Sequence, residues 1–381
     1  MYRTLAVSGY RSLRDLTVPL GRVTVVTGAN GSGKSSLYRA LRLLAGCALG
    51  DAIGSLAGEG GLGSVLWAGP ESLKGARRTG LVQGTTRSGP ISLRLGIGAD
   101  GYSYLVDLGL PVPSVSAFSR DPEIKREALW AGPVMRSGTL IARRRRSLVE
   151  VRDGDGPLEE LPFSLGPHQS MLSDVPEARA LRDELSTWRF YDALRTDAAA
   201  PARQPRVGTR TGAMAGDGAD VAAALQTIIE RGSEPIERHV DDAFPGSRLY
   251  ITTTAGLFDV ALEQPGMLRP LLGAELSDGT LRYLMWLAAL LAPTRPPLMA
   301  VNEPENSLHP SLLAPLGRLI ASSVRDTQVV VVTHSQPLVD AVADALPAED
   351  FQLVELEKDT GETIVAGQGL LSKPAWEWGR R

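Results

Sequence analysis

The stretch Gly28-Ala29-Asn30-Gly31-Ser32-Gly33-Lys34-Ser35 constrains this chain more than any other. It has the form G-x-x-x-x-G-K-S. An apolar run, Val23-Thr24-Val25-Val26-Thr27, leads into it and reads as a buried strand. After it, Leu37, Ala40, Leu41 and Leu44 recur at i, i+3, i+4 and i+7, one face of a helix. Strand, glycine-rich turn and helix are the context in which such a motif cradles phosphate. The glycines let the backbone curl until successive N–H groups point at phosphate oxygens, and the helix N-terminus adds partial positive charge. In that reading Gly28, Asn30, Gly31, Ser32, Gly33, Lys34, Ser35 and Ser36 surround a polyphosphate. Lys34 reaches the β- and γ-phosphates, and the Ser35 hydroxyl sits on Mg²⁺.

Length and charge bound the rest. At 381 residues the chain is two or three domain-sized units, or one large domain with insertions. An apolar content of 43% supports a sizeable core. A net charge of −3 leaves no global field toward nucleic acid or membrane, so any such surface is local. The single cysteine, Cys47, forms no internal disulfide. It follows the phosphate-loop helix in apolar company, reads as a small core residue, and fits a reducing, cytoplasmic compartment. The N-terminus, Met1-Tyr2-Arg3-Thr4-Leu5, lacks the apolar segment of a signal peptide. The longest apolar stretch, Tyr283 to Ala292, is far short of the ~20 residues of a membrane span. The expectation is a soluble protein with no membrane role of its own.

Leu5 and Val7, then Leu16, Val18 and Leu20, alternate with polar residues and predict two short strands around Gly9-Tyr10-Arg11-Ser12. Residues 46 to 65 read as a Gly- and Ala-rich loop with room for a short helix. From about Pro90 to Arg152, Ile91-Leu93-Leu95, Tyr102-Tyr104-Val106 and Leu148-Val149-Val151 follow period two, which predicts short antiparallel strands. Residues 175 to 193 turn helical, with Ala178, Leu181, Leu185 and Trp188 on one face. Residues 195 to 219 form a long loop, a length that is usually functional or mobile. Val221 to Ile229 is helical, and Arg248 to Leu262 holds two strands around Thr254-Ala255-Gly256.

A second informative block follows. Leu276-Ser277-Asp278-Gly279-Thr280 precedes an apolar helix, Leu281 to Leu291. Leu298 to Val301 is a buried strand ending in Asn302-Glu303-Pro304-Glu305-Asn306-Ser307-Leu308-His309-Pro310. A helix with Leu312, Leu316 and Leu319 comes next, then the strand Val329 to Val332, ending in Thr333-His334-Ser335. Strands alternating with helices imply a parallel sheet with ligands at the carboxyl ends of its strands.

Together these motifs resemble the ABC-type ATPases, in particular SMC/RecF-like, OLD/RecF-related heads of about this length. The resemblance covers nearly the whole chain. It implies an α/β P-loop NTPase fold: an ABC-type head with a mixed nucleotide-binding sheet, an antiparallel β subdomain and a helical signature lobe. The parts expected are 1–168, with the phosphate loop and β subdomain, 169–265, a helical insertion and loop, and 266–381, the rest of the head. ATP and Mg²⁺ are the implied cofactors and ATP hydrolysis the implied reaction. Leu276 to Thr280 looks like the signature loop, in which Ser277 and Gly279 match residues that clamp a γ-phosphate on a partner subunit. That implies a nucleotide sandwich, most simply a homodimer. The same Ser-Asp-Gly-Thr also fits an ordinary helix N-cap.

Glu303 matches the catalytic glutamate that orients the attacking water. Where the family has a carboxylate before it to hold Mg²⁺, this chain has Asn302, a hard but weaker oxygen ligand. Glu305 is a possible substitute. Asn306 to His309 matches the D-loop, although His309 also fits a helix start before Pro310. His334 resembles the switch histidine that senses the γ-phosphate; a structural histidine at a strand end is the alternative. Arg11 matches an arginine that approaches the phosphates, or is a solvated turn residue. Gln169, at the junction of strands and helices, lies where the Q-loop glutamine that touches Mg²⁺ belongs, with Gln83 as competitor; a plain surface residue is the alternative for both.

Arg143-Arg144-Arg145-Arg146 is the one dense basic run, and Arg203, Arg206 and Arg210 dot the long loop. They fit a track for a phosphate backbone, or a solvated strand edge that discourages aggregation. Three uses compete. The first is a DNA-associated dimeric clamp in repair or replication, by fold-level analogy. The second is an ATP-sensing regulator of a separately encoded effector, as in phage defence. The third is a transporter subunit, which the early antiparallel block argues against. The segment from Phe351 onward reads as a strand pair and a Pro-Ala-Trp-Glu-Trp tail, with no nuclease motif block.

Overall fold

The strand that carries the phosphate loop, Val23–Gly28, is where two compact units of the chain meet in sequence. In this computed structural model, the first unit comprises Met1–Gly21, Val26–Trp188 and Gln352–Arg381, and the second Arg22–Val25 and Arg189–Phe351. The structure describes residues 1–70, 92–113, 115–232, 236–369 and 371–379. Gln83 and Ile91 lie outside the described residues.

The first unit is built on an eight-stranded antiparallel sheet in the order β2-β1-β4-β5-β6-β7-β8-β9. Its strands are β1 (Tyr2–Tyr10), β2 (Leu13–Pro19), β4 (Leu93–Ala99), β5 (Tyr102–Gly109), β6 (Glu123–Ala131), β7 (Leu140–Arg145), β8 (Leu148–Arg152) and β9 (Leu158–Glu160), with β3 the strand Val23–Gly28. The period-two pattern sets the register: Leu5 faces Val18 and Ile97, and Val7 faces Leu16 and Leu95. Leu5, Val7, Val18, Leu95 and Ile97 are wholly buried. The Pro374 to Trp378 tail lies on this sheet. Trp376 packs against Trp130 with ring centroids 5.5 Å apart, and a Cβ on Gly96 would meet its indole at 2.0 Å. A glycine is needed there because the ring occupies the side-chain position.

The Arg143 to Arg146 run is not a solvated edge. It sits on β7, between β6 and β8, and ends in the turn after it. Strand alternation sends Arg144 to the buried face, where it pairs with Glu127 at 3.1 Å, both side chains 0% exposed. Tyr104 and Ser170 hydroxyls and the Met171 N–H also donate to Glu127. A buried charge pair survives only when such hydrogen bonds satisfy it. Arg143 is bound by Glu150, while Arg145 and Arg146 are exposed.

Three other local expectations are corrected. The phosphate-loop helix runs Lys34–Ala48, so Cys47 lies inside it, and burial pushes its thiol pKa up. The segment 46 to 65 carries two helices, Ala52–Gly58 and Leu62–Val65. The helix expected over 175 to 193 is a 3-10 turn, Pro176–Ala178, and a helix, Arg179–Ser186; Arg189–Tyr191 is instead a strand. Parallel pairing of Arg189–Tyr191 with Met299–Val301 overrides the local helical periodicity.

The second unit holds three parallel strands, Arg189–Tyr191, Leu298–Asn302 and Gln328–Val332, in register from Leu298 opposite Gln328 to Asn302 opposite Val332. An antiparallel pair, Arg248–Thr254 and Leu257–Glu263, is flanked by the short strands Arg206–Val207 and Leu271–Leu272. The helix Asp278–Leu290 is buried almost all round, which identifies it as the centre of its unit's core. Trp286 on it stacks edge-on against Tyr191 and donates its indole N–H to the Pro304 carbonyl at 3.0 Å. Parallel pairing here and antiparallel pairing in the first unit give the mixed α/β class expected. Among the described residues, no helix is long and apolar enough to cross a membrane.

Candidate functional site

The phosphate loop is held open by its glycines. Gly28, Gly31 and Gly33 have φ of 137°, 77° and 113°, a region costly for any residue with a Cβ. Two of them also have no room: a Cβ on Gly28 would meet the Leu356 carbonyl oxygen at 2.2 Å, and one on Gly33 would meet Thr363 Oγ1 at 2.4 Å. The Thr363 hydroxyl donates to the Ser32 carbonyl at 2.7 Å and lies 2.8 Å from the Ser12 hydroxyl, which pins the loop from outside. The helix Lys34–Ala48 starts with no side-chain cap. Its first N–H groups are therefore left for an anion. Lys34 Nζ donates to the carbonyls of Gly28 at 2.5 Å and Ala29 at 3.1 Å, within its own loop. Ser32 Oγ is buried without a partner, and Asn30, Gly31 and Ser35 are exposed. Every feature of this loop suits a polyphosphate.

Two residues expected beside the phosphates are engaged elsewhere in the first unit. Arg11 has φ 49° and donates to Glu59 at 2.6 Å, an oxygen that the Tyr10 hydroxyl shares at 2.6 Å. Gln169 turns its carboxamide oxygen onto the Gly166 N–H at 2.7 Å, and its carbonyl takes a bond from buried Arg144. Each side chain closes local structure.

In the second unit the strand Leu298–Asn302 ends at Glu303, whose φ of 48° is rare for a residue with a side chain. Backbone strain of this kind clusters at functional sites. Its N–H donates to the Val332 carbonyl at 2.7 Å, extending the strand pairing into the turn. Its carboxylate accepts from Asn306 Nδ2 at 2.8 Å and lies 3.8 Å from His334 Nδ1. Glu303 is 37% and His334 52% exposed, so both side chains reach solvent.

Glu305, read from the sequence as a substitute for the missing carboxylate, turns Oε1 onto the Thr333 hydroxyl at 2.6 Å and the His334 N–H at 3.0 Å, and its Oε2 is buried without a partner. It thereby ties the two strand ends together. The spacing Glu303-Pro304-Glu305 was the available signal; its partners 28 and 29 residues downstream were not.

Asn302 Oδ1 is buried and has no hydrogen-bond partner. An orphaned amide oxygen at a strand end fits a hydrated divalent cation. Within its own unit Asn302 is the residue whose oxygen would suit Mg²⁺, a cation that when bound supplies charge neutralisation to phosphates. Among the described residues there is no cluster of three His, Cys, Asp or Glu side chains suited to a metal. Mg²⁺ commonly relies instead on one or two protein oxygens, water and phosphate.

Ser277 is a true N-cap: its Oγ accepts from the Thr280 N–H at 3.1 Å. Gly279 packs against the turn Asn306 to His309, where a Cβ would meet the Ser307 carbonyl oxygen at 2.9 Å. His309 likewise caps the turn after it, accepting from the Ser311 N–H at 3.3 Å. Ser277, Gly279, Thr280, Ser307 and His309 line one cavity of about 340 Å³. Arg203, read as part of a phosphate track or of a solvated strand edge, is buried beneath this turn, and Arg210 is bound by Glu230.

The fold has solved counterparts. The "SmcHead bound to the C-winged helix domain of ScpA" is similar over 97% of this chain and 98% of its own, at 13% identity and a TM-score of 0.51. The Smc head with an extended coiled coil bound to the C-terminal domain of ScpA, from Pyrococcus furiosus, covers 96% and 95%, at 12% identity and a TM-score of 0.48. A curated relative, the OLD nuclease of Thermus scotoductus, is 41% identical over 46 residues, 12% of this chain and 9% of that protein. Residues 23–341 match the family model described as "AAA domain, putative AbiEii toxin, Type IV TA system". The match spans most of the chain, and the protein belongs to this AAA-domain family, with a fold similar to that of the Smc head.

Proposed function

We propose that the protein binds ATP with Mg²⁺, hydrolyses it slowly, and uses the cycle as a dimeric switch. In this reading Lys34 and Ser35 of one subunit take the phosphates, and Ser277 and Gly279 of a second copy clamp the γ-phosphate. Glu303 orients the attacking water, and His334 senses the γ-phosphate. The observation that carries the dimer is the cavity around Ser277, Gly279, Ser307 and His309. It presents hydroxyls and a glycine at a helix N-terminus, the chemistry of an anion clamp. The test is the mass of the Glu303→Gln protein with and without Mg-ATP.

For the partner, the observations favour a separately encoded effector protein over DNA. Of the basic residues that suggested a phosphate track, Arg144 and Arg203 are buried, and Arg143 and Arg210 are paired with carboxylates. The toxin–antitoxin wording of the family description is in keeping with a defence role. A DNA clamp keeps support from the exposed Arg145 and Arg146. Fluorescence anisotropy of a labelled duplex, with a non-hydrolysable ATP analogue at two salt concentrations, separates the two. The effector reading expects no nucleotide-dependent, salt-sensitive shift.

A further inference from the structure

The turn that bears Ser277 is gripped by one buried arginine from far upstream. Arg203 ends the 3-10 turn Pro201–Arg203 within the long loop 195 to 219, and is 7% exposed. Its Nε donates to the Thr196 carbonyl at 2.7 Å. Its Nη1 is shared among the carbonyls of Gly273 at 3.2 Å, Ala274 at 3.3 Å and Leu276 at 2.7 Å. Its Nη2 donates to Asp278 Oδ1 at 2.5 Å. The residues on both sides of Ser277 are therefore bound to a single planar group. Close packing reinforces the grip: a Cβ on Gly273 would lie 3.4 Å from the Ala202 carbonyl oxygen.

A guanidinium holds its donors in one rigid fork, which a lysine ammonium does not reproduce. Fixing the Leu276 carbonyl and the Asp278 carboxylate together fixes the backbone between them. That backbone sets where the Ser277 Oγ and the Gly279 N–H point. An unbound turn would have to be ordered when nucleotide arrives, at a cost in lost conformational freedom.

We infer that Arg203 is a positioning residue for the signature turn, holding Ser277 and Gly279 in the arrangement that meets a γ-phosphate. This rests on the nucleotide-sandwich reading above. Arg203 itself touches no phosphate; it acts through Leu276 and Asp278.

The test compares Arg203→Lys and Asp278→Asn, each in the Glu303→Gln background. Thermal melts first establish that both fold; Asp278 is 59% exposed, so its variant is the safer for stability. Binding of a fluorescent ATP analogue to the monomer should match the parent, because the phosphate loop is untouched. The ATP concentration needed for dimerisation, read by light scattering, should rise about tenfold or more for Arg203→Lys. Asp278→Asn discriminates by sign. Removing a carboxylate beside an anion site strengthens the clamp if electrostatics alone matters, and weakens it if the Arg203 grip matters. Dimerisation of either variant at the parent's ATP concentration, or more readily, overturns the role of Arg203 while leaving the sandwich intact. A parent that stays monomeric at saturating Mg-ATP overturns both.

Discussion

The Oε1 atom of Glu305 lies 3.2 Å from Nδ1 of His334 and also accepts that residue's backbone N–H at 3.0 Å. One buried carboxylate oxygen thus binds the backbone of His334 and lies beside its ring. Glu305→Gln keeps the size but loses the charge, and should lower kcat about tenfold with nucleotide affinity unchanged. Glu305→Ala should also lower stability by about 1–3 kcal/mol, because the Thr333 hydroxyl and the His334 N–H lose their acceptor. Steady-state ATPase assays and urea melts read the two effects separately.

The phosphate loop predicts a different pattern. Lys34→Ala should abolish nucleotide binding with little change in fold, since Lys34 bonds within its own loop. Gly33→Ala should weaken binding and also stability, because its φ of 113° and the Thr363 hydroxyl both exclude a Cβ. Isothermal titration with ATP and thermal melts of the two variants distinguish these outcomes.

In the proposed cycle Asn302 is a ligand of the metal. Asn302→Asp should tighten Mg²⁺ dependence and raise kcat, because a carboxylate replaces a neutral, orphaned amide oxygen. Turnover titrated against Mg²⁺ checks this. An unchanged curve would move the metal to another ligand, with Glu305 Oε2, also buried and unpaired, the next to test.

The arginine run divides within two residues. Arg144→Ala leaves Glu127 buried and charged without its partner, and should cost about 3–5 kcal/mol. Arg145→Ala, at an exposed position, should change stability by less than about 0.5 kcal/mol. Urea denaturation of the two single variants makes the comparison.

These residues also mark how far the sequence could be read. Gly28 to Ser35 carries its geometry locally, since strand, turn and helix are contiguous and each has its own periodicity. The strand ends at Asn302 and Thr333 were legible for the same reason. Arg144 was legible in principle: period two along β7 puts it on the face of buried Ala142, opposite to Arg143. Four adjacent charges hid that alternation. Arg203 was not legible, because its acceptors lie some seventy residues away and are mostly backbone carbonyls, which leave no trace in side-chain pattern. The partners of Arg11 and Gln169 were hidden for a related reason: Glu59 and Gly166, which bind them, belong to no motif.

The central claim is that ATP closes two copies of this chain on one another. Multi-angle light scattering of the Glu303→Gln protein, at saturating Mg-ATP and without nucleotide, tests it most directly. The account predicts twice the chain mass with Mg-ATP and the chain mass without it, and the chain mass again once Ser277→Arg is added to block the clamp. A monomer mass at saturating Mg-ATP, in a protein shown by titration to have bound the nucleotide, would contradict it.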